Sequence, residues 1–329
     1  MAKIQRENKM FVFDKPLNRN YKYYIMRFLL PFYDIFYRII LAMTRPKKRA
    51  RKFQVSICGI FKDEAHNMSE WIEYHRIVGI EHFYLYNNFS TDNYMDILQS
   101  YVEQDIVTLI EWPIPMGQFP AYEHFYKEYR EETQWVSFLD LDEFICPYYE
   151  TSIVDWIKKF EKYPCVVVYW KMFGTSGLLD HDPKKLTTEQ YIVSWEKLDN
   201  IGKVLLNTDY EIAYFNSGVH HATYTKVSFL GRIITIPPIN EFKYFLRYNI
   251  QRTGLKKPTD FTIQINHYWS KAYKDYHKNK VERGDVNNHP RTLKIFLFHE
   301  HHNKATDHKI FRFLIQLKTT LSIKNEPNC

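Results

Sequence analysis

Apolar positions in this chain change their spacing several times, and each change marks an element. Residues 53–60 form a short run rich in β-formers, which predicts a buried strand. Met68, Trp71, Ile72, His75 and Val78 then recur at helical spacing, behind an Asn67-Met68-Ser69-Glu70 stretch that resembles a capping box. A second strand is predicted over 82–86, a polar turn over 87–92 and a helix reaching about residue 104. A third strand covers 106–111, a helix 120–133 and a fourth strand 135–139. Strands alternating with helices at this spacing imply a parallel sheet with right-handed crossovers. After about residue 163 helices become fewer. Strands are predicted at 165–170, 226–230, 233–236 and 261–268, and helices at 270–283 and 291–321.

The pattern upstream differs. Residues 1–21 are polar and charged. In 22–44 Ile25, Phe28, Leu29, Phe32, Ile35, Phe36, Ile39, Ile40 and Met43 recur at helical spacing, with Arg27, Pro31, Asp34 and Arg38 on the other face. A spanning helix needs about 20 largely uncharged residues, which this stretch lacks. No small-residue cleavage site follows, so no signal peptide is expected. Pro31 should break or start a helix, which places the helix over 31–44. The basic run 45–52 comes next. An aromatic amphipathic helix beside a basic cluster reads as an interfacial anchor on an anionic leaflet; the competing reading is a helix docked on the body. Residues 309–323 repeat the pattern more weakly.

Charge sharpens that division. The first 52 residues carry 14 Lys/Arg against 3 Asp/Glu, a net +11, while the remaining 277 carry 31 against 35. The basic character therefore belongs to the arm, and nucleic-acid binding by the body is not expected. The 26 Tyr, 24 Phe and 7 Trp read first as core packing. The four scattered cysteines form no CxxC pair, which argues against a zinc ribbon or a disulfide framework and for a reducing compartment.

Candidate chemistry gathers where strands end. The fourth strand runs into Asp140-Leu141-Asp142-Glu143. Ligands of open α/β sheets bind outside the carboxyl ends of the strands. Alternation would place Asp140 and Asp142 on one side, where two carboxylates need a cation. Mg²⁺ or Mn²⁺ bridging a diphosphate would supply it and stabilise a nucleoside-diphosphate leaving group. The stretches 58–64 and 84–92 end the first two strands at the same edge. They offer Lys62, Asp63, Glu64, Asn87, Asn88 and Asp92 for a base and ribose.

The runs ICGIFKDEAHNMSEWIEYHRIVGIEHFYLYNNFSTDN and WVSFLDLDEFI, with YWKMFGTSG at 169–177, GVHH at 218–221 and INHYWSK at 265–271, closely resemble glycosyltransferase family 92 and its bacterial relatives in the family-2-like group. The resemblance covers roughly 53–285. It implies an α/β fold of GT-A type: a Rossmann-like, mainly parallel sheet flanked by helices, with a mixed-sheet acceptor half. It also implies a nucleotide-sugar donor, with a UDP-hexose the expected one, and inversion at the anomeric carbon. Lys62, Asp63 and Glu64 would then lie near the nucleotide, and Asp140 and Asp142 would be the ribose and metal pair. Asn87 stands where related family-2 enzymes commonly carry an Asp that contacts the base.

By the same resemblance His267 completes the metal site, with His220 and His221 as second choices. The cluster His299, His301, His302 reads as a solvated face. The acceptor side should include Trp170, Phe173, Gly174, Thr175, Ser176 and Gly177. One of Asp180, Asp182 and Glu196 is expected to be the general base that deprotonates the acceptor hydroxyl, and the sequence does not choose between them. Lys271, Lys280 and Arg283 could hold the diphosphate.

The expected organisation is an arm over 1–52, a nucleotide-sugar half over 53–160, an acceptor half over 161–290 and a helical tail over 291–329. The expected activity is metal-dependent hexosyl transfer to a glycan or glycolipid of the cell-surface polysaccharide type. Its expected place is the cytoplasmic, inner face of the membrane, held through residues 22–52. Two other classes compete: an Mg²⁺-dependent phosphotransferase or phosphatase with Asp140 as nucleophile, and a non-catalytic membrane-peripheral scaffold.

Overall fold

The computed structural model describes residues 9–13, 21–215, 223–247, 250, 252–282 and 291–325. Helix α1 (Tyr21–Thr44) is followed by β1 (Phe53–Phe61), α2 (Ala65–Ile77), β2 (His82–Asn87), α3 (Tyr94–Glu103), β3 (Val107–Glu111), α4 (Gln118–Glu128), β4 (Thr133–Phe138) and β5 (Glu143–Pro147). Then come α5 (Ile153–Ile157), β6 (Cys165–Met172), α6 (Thr187–Gln190), β7 (Val193–Trp195), β8 (Gly202–Asn207), β9 (Glu211–Phe215), β10 (Thr223–Phe229) and β11 (Arg232–Ile236). The chain closes with β12 (Ile263–His267), α7 (Tyr273–Tyr276), a π-helical turn His277–Glu282, α8 (Leu293–His301), β13 (Asn303–Thr306), a 3₁₀ turn Lys309–Phe313 and α9 (Leu314–Asn325).

One sheet of eight strands in the order β3-β2-β1-β4-β8-β6-β12-β5 carries both halves of the body. β1 to β4 are parallel neighbours, so their carboxyl ends share one edge: Phe61 pairs with Asn87, and Asn87 with Glu111. β8 runs antiparallel to both β4 and β6 and makes the sheet mixed. The α/β class with a mainly parallel first half and a mixed second half is thus the one observed. The two halves are interleaved rather than sequential, because β5 leaves the first half and pairs antiparallel with β12 at the far edge.

Several expectations change. α2 starts at Ala65 with Glu64 as its N-cap and no side-chain cap bond, so the proposed capping box does not form. Instead Glu70 accepts from the main-chain N–H groups of Thr187 and Thr188 at 2.8 and 2.9 Å, and so satisfies the free donors at the start of α6. Met68, Trp71, Ile72, His75 and Val78 are all buried, as their spacing predicts. The tail is not one helix, since β13 interrupts it to pair with β7. Its last part docks on the body through Ile310, Phe313 and Leu317, so the anchor reading for 309–323 does not hold over the described side chains.

α1 runs through Pro31. Pro31 is itself exposed, so the carbonyl left without its i+4 donor can stay solvated. The arm also packs inward before α1: Phe11 is fully buried against Tyr169 and Phe261.

One buried group has a measurable consequence. His75 Nδ1 lies 2.8 Å from the Trp71 carbonyl oxygen and its Nε2 accepts from the Ile145 amide at 3.2 Å, an arrangement that suits only the neutral ring. Burial lowers its pKa to about 3. The unfolded chain therefore takes up a proton below its ordinary value of 6.5 while the folded one does not. Stability present above that value should fall as the pH drops. Between pH 7 and 5 this one group should cost about 2 kcal/mol. Urea midpoints at the two pH values check this, and His75→Gln should weaken the pH dependence even if it lowers stability at both.

Candidate active site

The chain crosses the sheet edge between β4 and β5, and residues 139–142 are that crossing. The Leu139 amide bonds to the Cys58 carbonyl at 3.1 Å, and the Glu143 amide closes a turn on the Asp140 carbonyl at 3.1 Å. A Cβ on Gly59 would stand 3.0 Å from the Leu139 carbonyl oxygen, so β1 needs glycine for this approach. Because the tripeptide lies beyond the strand, the alternation rule no longer governs it. Asp140 and Asp142 turn to different partners.

Asp140 is partly exposed, its side chain 32% accessible against 14% for Asp142. Its carboxylate accepts from Gln118 Nε2 and from Lys203 Nζ, both at 2.9 Å. Lys203 is fully buried and also lies 3.1 Å from Glu143, itself fully buried. The second Glu143 oxygen meets no hydrogen-bond partner among the described residues. Glu143 Oε2 accepts from the Asp140 amide at 2.9 Å, which locks the turn. Burial raises the pKa of Glu143, and Lys203 opposes that rise. Burial disfavours the Lys203 ammonium, but Asp140 and Glu143 outweigh it and hold the pKa above the ordinary range. One buried cation thus compensates the buried Glu143 and the partly exposed Asp140.

Asp142 has other partners. Its oxygens lie 3.7 Å from His267 Nε2 and 3.3 Å from Lys280 Nζ. Strand register brings His267 here, since His267 pairs with Glu143 on β5 and with Met172 on β6. The Tyr268 amide then donates to the Asp142 carbonyl at 2.9 Å. Burial raises the Asp142 pKa, but Lys280, His267 and Lys271 prevail and hold its carboxyl well below the usual range. The His267 ring lies 4.6 Å from that of Trp170. Its Nδ1 meets no protein partner among the described residues.

This donor set fits a hard divalent cation through Asp142 and His267. Two ligands on one Mn²⁺ or Mg²⁺ ion stand about 3–4 Å apart, and such an ion takes its other ligands from water and phosphate. Asp140 rests one oxygen on Gln118 and the other on Lys203. Among the described residues no three His, Cys, Asp or Glu side chains form a ready cage. Of the expected triad, Asp142 and His267 face each other, and Asp140 meets Lys203 and Gln118.

The donor loops do converge on this edge. The Asp63 amide donates to Ser90 Oγ, Asp63 accepts from the Thr91 amide at 2.7 Å, and Asp92 accepts from the Ala65 amide at 2.8 Å. Lys62 is exposed, and Glu64 lies 3.5 Å from Lys271. Asn87 is buried; its amide donates to Tyr94 and Glu111 and its oxygen accepts from the Ser90 amide. Asn88 donates to the carbonyls of Trp112 and Ile114. Asn87 and Asn88 therefore tie the ends of β1, β2 and β3 together, and their donors are spent inside the loops.

Of the acceptor candidates Trp170 packs on the His267 ring, and the Phe173 amide donates to the His267 carbonyl at 3.0 Å. Phe173 is buried, and Ser176 Oγ accepts from the Ile192 and Val193 amides. Gly174 lies against Asn303, where a Cβ would collide at 1.7 Å. These residues shape the loop. Asp180 is exposed and paired with Lys274 at 2.6 Å, Asp182 accepts from the Lys184 amide, and the Glu196 side chain is exposed. None of the three shares a contact with Asp142 or His267 among those described.

The histidine cluster at the tail corrects an expectation. His301 is exposed, but His299 stacks on Trp269 at 4.0 Å and His302 packs against Phe13 and Trp195. Burial lowers the His299 pKa to about 3, with His267 next among the causes. His299 thus belongs to the aromatic wall beside His267, not to a solvated face. His220, His221 and Arg283 lie outside the described residues. Lys203 was missed by sequence reasoning, although a lone Lys inside the apolar run Gly202-Lys203-Val204-Leu205-Leu206 is a visible signal of a buried ion pair.

Comparison with known proteins adds the remaining information. The family model for glycosyltransferase family 92 matches residues 51–309. A glycosyltransferase family 92 protein of Oryza sativa subsp. japonica is 26% identical over 144 residues, which are 43% of this chain and 25% of that protein. One of Arabidopsis thaliana is 30% identical over 101 residues, 30% of this chain and 18% of that protein. The matched stretch spans a quarter or less of these curated relatives. A crystal structure of S. aureus TarS 1-349 superposes with a TM-score of 0.33 and 14% identity over 47% of each chain. The same segment in complex with UDP gives 0.32 and 15%, again over 47% of each chain. Likeness this slight carries no argument.

Proposed function

The chain belongs to glycosyltransferase family 92 and is a glycosyltransferase; on that premise we propose that it moves a hexose from a nucleotide-sugar donor, a UDP-hexose first among them, to a glycan or glycolipid hydroxyl with inversion, assisted by Mn²⁺ or Mg²⁺. The observation that carries this reading is the pairing of Asp142 with His267 at the mouth of the sheet, flanked by Lys271 and Lys280.

Asp142 and His267 would hold the cation. When bound, it would neutralise charge on the departing nucleoside diphosphate. Lys271 and Lys280 contribute two further positive groups for the diphosphate. Asp140, clamped by Lys203 and Gln118, presents a fixed carboxylate edge to the ribose hydroxyls. Trp170 and the Trp269–His299 stack offer aromatic faces to a sugar ring. In the transfer the bond from the anomeric carbon to the diphosphate oxygen breaks and one to the acceptor oxygen forms. The acceptor proton leaves to a base and the diphosphate departs with the electron pair. A membrane-peripheral position on the cytoplasmic face would bring a glycolipid or growing glycan to this edge.

The family assignment stands against the phosphotransferase reading. A thermal-shift screen of nucleotide sugars, with Mn²⁺ or with EDTA, tests the proposal. At about 100 times its Kd the correct donor should add about 2.7 kcal/mol of apparent stability, and EDTA should remove most of it. No shift with any donor in the presence of Mn²⁺, together with no transfer, would refute it.

A further inference from the structure

α1 carries apolar side chains on two faces, and the body covers only one of them. The face carrying Asp34 lies against the body: Leu30, Asp34, Tyr37, Ile40 and Leu41 are buried. Asp34 pairs with Arg252 and accepts from the Phe245 amide at 3.3 Å. Arg38 donates to Tyr163 and, at 2.6 Å, to the Lys243 carbonyl. The opposite face points away from the protein. Phe28, Phe32, Ile35, Phe36, Ile39 and Met43 are each 42–69% exposed, and Tyr21, Tyr24 and Ile25 extend the stripe. A docked helix normally buries its most apolar face. Here the body takes the narrower face of Leu30, Tyr37, Ile40 and Leu41 around Asp34, and a helix about 36 Å long still shows a continuous aromatic stripe outward.

Beside this stripe lies a basic pocket. Arg38, Arg45, Lys158, Lys159, Lys162 and Lys243 line it with a single carboxylate, Glu161. By contrast much of the basic run after α1 is spent on the body. Arg49 and Arg51 pair with Glu131, Arg51 also with Asp209, and Lys52 with Asp105. In the pocket Lys158 pairs with Asp155 at 2.6 Å and Lys159 with Glu150 at 3.3 Å, so its six cations meet three carboxylates and the lining stays cationic in balance. No described helix is long and apolar enough to cross a membrane.

We propose that α1 lies flat on an anionic phospholipid leaflet, with its outward aromatic stripe in the headgroup–acyl boundary and the Arg38–Lys243 pocket holding lipid phosphate groups. This deepens the membrane-peripheral part of the reading above. A helix with one apolar face embeds at such a boundary, and adjacent basic groups add attraction to anionic lipid. The charge on the pocket decides for a leaflet over a second copy of this chain, whose own pocket would repel it. It also decides for lipid over a free phosphate, since phosphate alone would leave the stripe in water.

Co-sedimentation of the full chain with phosphatidylcholine vesicles, with and without phosphatidylserine, tests this. Binding should require phosphatidylserine and weaken with salt. Phe28→Glu/Phe32→Glu should lower it on the order of 100-fold. Lys158→Gln/Lys162→Gln/Lys243→Gln should lower it about tenfold. These positions are outward-facing or pocket-lining, so both variants should keep the wild-type melting temperature and donor-induced thermal shift. The proposal is overturned if the wild type stays in the supernatant, if either variant binds as well as the wild type, or if the wild type is a dimer without vesicles that Phe28→Glu/Phe32→Glu dissolves. Vesicle binding with neither a donor-induced shift nor transfer would instead sink the proposed donor chemistry and leave this one standing.

Discussion

Asp142→Asn should lower the rate of sugar transfer by about three orders of magnitude while the protein stays folded. The substitution keeps the shape of the side chain and removes one negative charge from a point where His267, Lys280 and Lys271 all converge. Those groups hold the carboxyl well below its usual range, so it is charged at neutral pH and able to bind a cation. The loop does not depend on the carboxylate, because the contact that anchors it is the Asp142 main-chain carbonyl accepting from the Tyr268 amide. Melting temperature should therefore change little, and Mn²⁺ should no longer add to the donor-induced thermal shift. Initial-rate measurements across a Mn²⁺ series check this. Full metal-dependent transfer by Asp142→Asn would remove Asp142 from the site.

Lys203→Met should destabilise the fold by about 3–5 kcal/mol, the usual cost of leaving a buried charge without its partner. Lys203 and Glu143 are both fully buried, and Asp140 takes its second contact from the same ammonium. Burial already raises the Glu143 pKa, so the variant would relieve part of the cost by protonating Glu143. Stability lost to this cause should be recovered at lower pH: a carboxyl with a raised pKa favours the fold below its unfolded value and costs stability as pH rises through the folded value. Lys203→Met/Glu143→Gln should regain much of the stability, because cation and one carboxylate leave together. It should not regain activity, because Asp140 would still lack its clamp. Chemical unfolding of both variants, with transfer assays beside it, separates the two effects. Full activity in the stable double variant would show that the clamp does not matter to transfer.

The sequence alone carried the α/β class, the order of the first four strands and the carboxylates at the end of the fourth. These depend on local spacing: apolar runs of strand length, helical stripes such as Met68-Trp71-Ile72-His75, and an acidic tripeptide directly after an apolar strand. His267 was reached through the family resemblance, and strand register then placed it beside Asp142. What failed had a common cause. Pairing partners far apart in sequence decide which way a side chain turns. Spacing put Asp140 and Asp142 on one side, yet the chain leaves the strand at Leu139, and Lys203 and Gln118 hold Asp140 while β12 brings His267 to Asp142. Spacing put Asn87 at the end of the second strand, and the neighbouring strand ends engage its amide. Periodicity found both faces of α1 but could not say which one the body would take. Arg252 and the Phe245 amide, more than two hundred residues later, bind Asp34 and turn the aromatic stripe outward. The chain itself thus determined its class and where its acidic residues collect, while tertiary contacts decided which partners each carboxylate meets and which face of the first helix faces the outside.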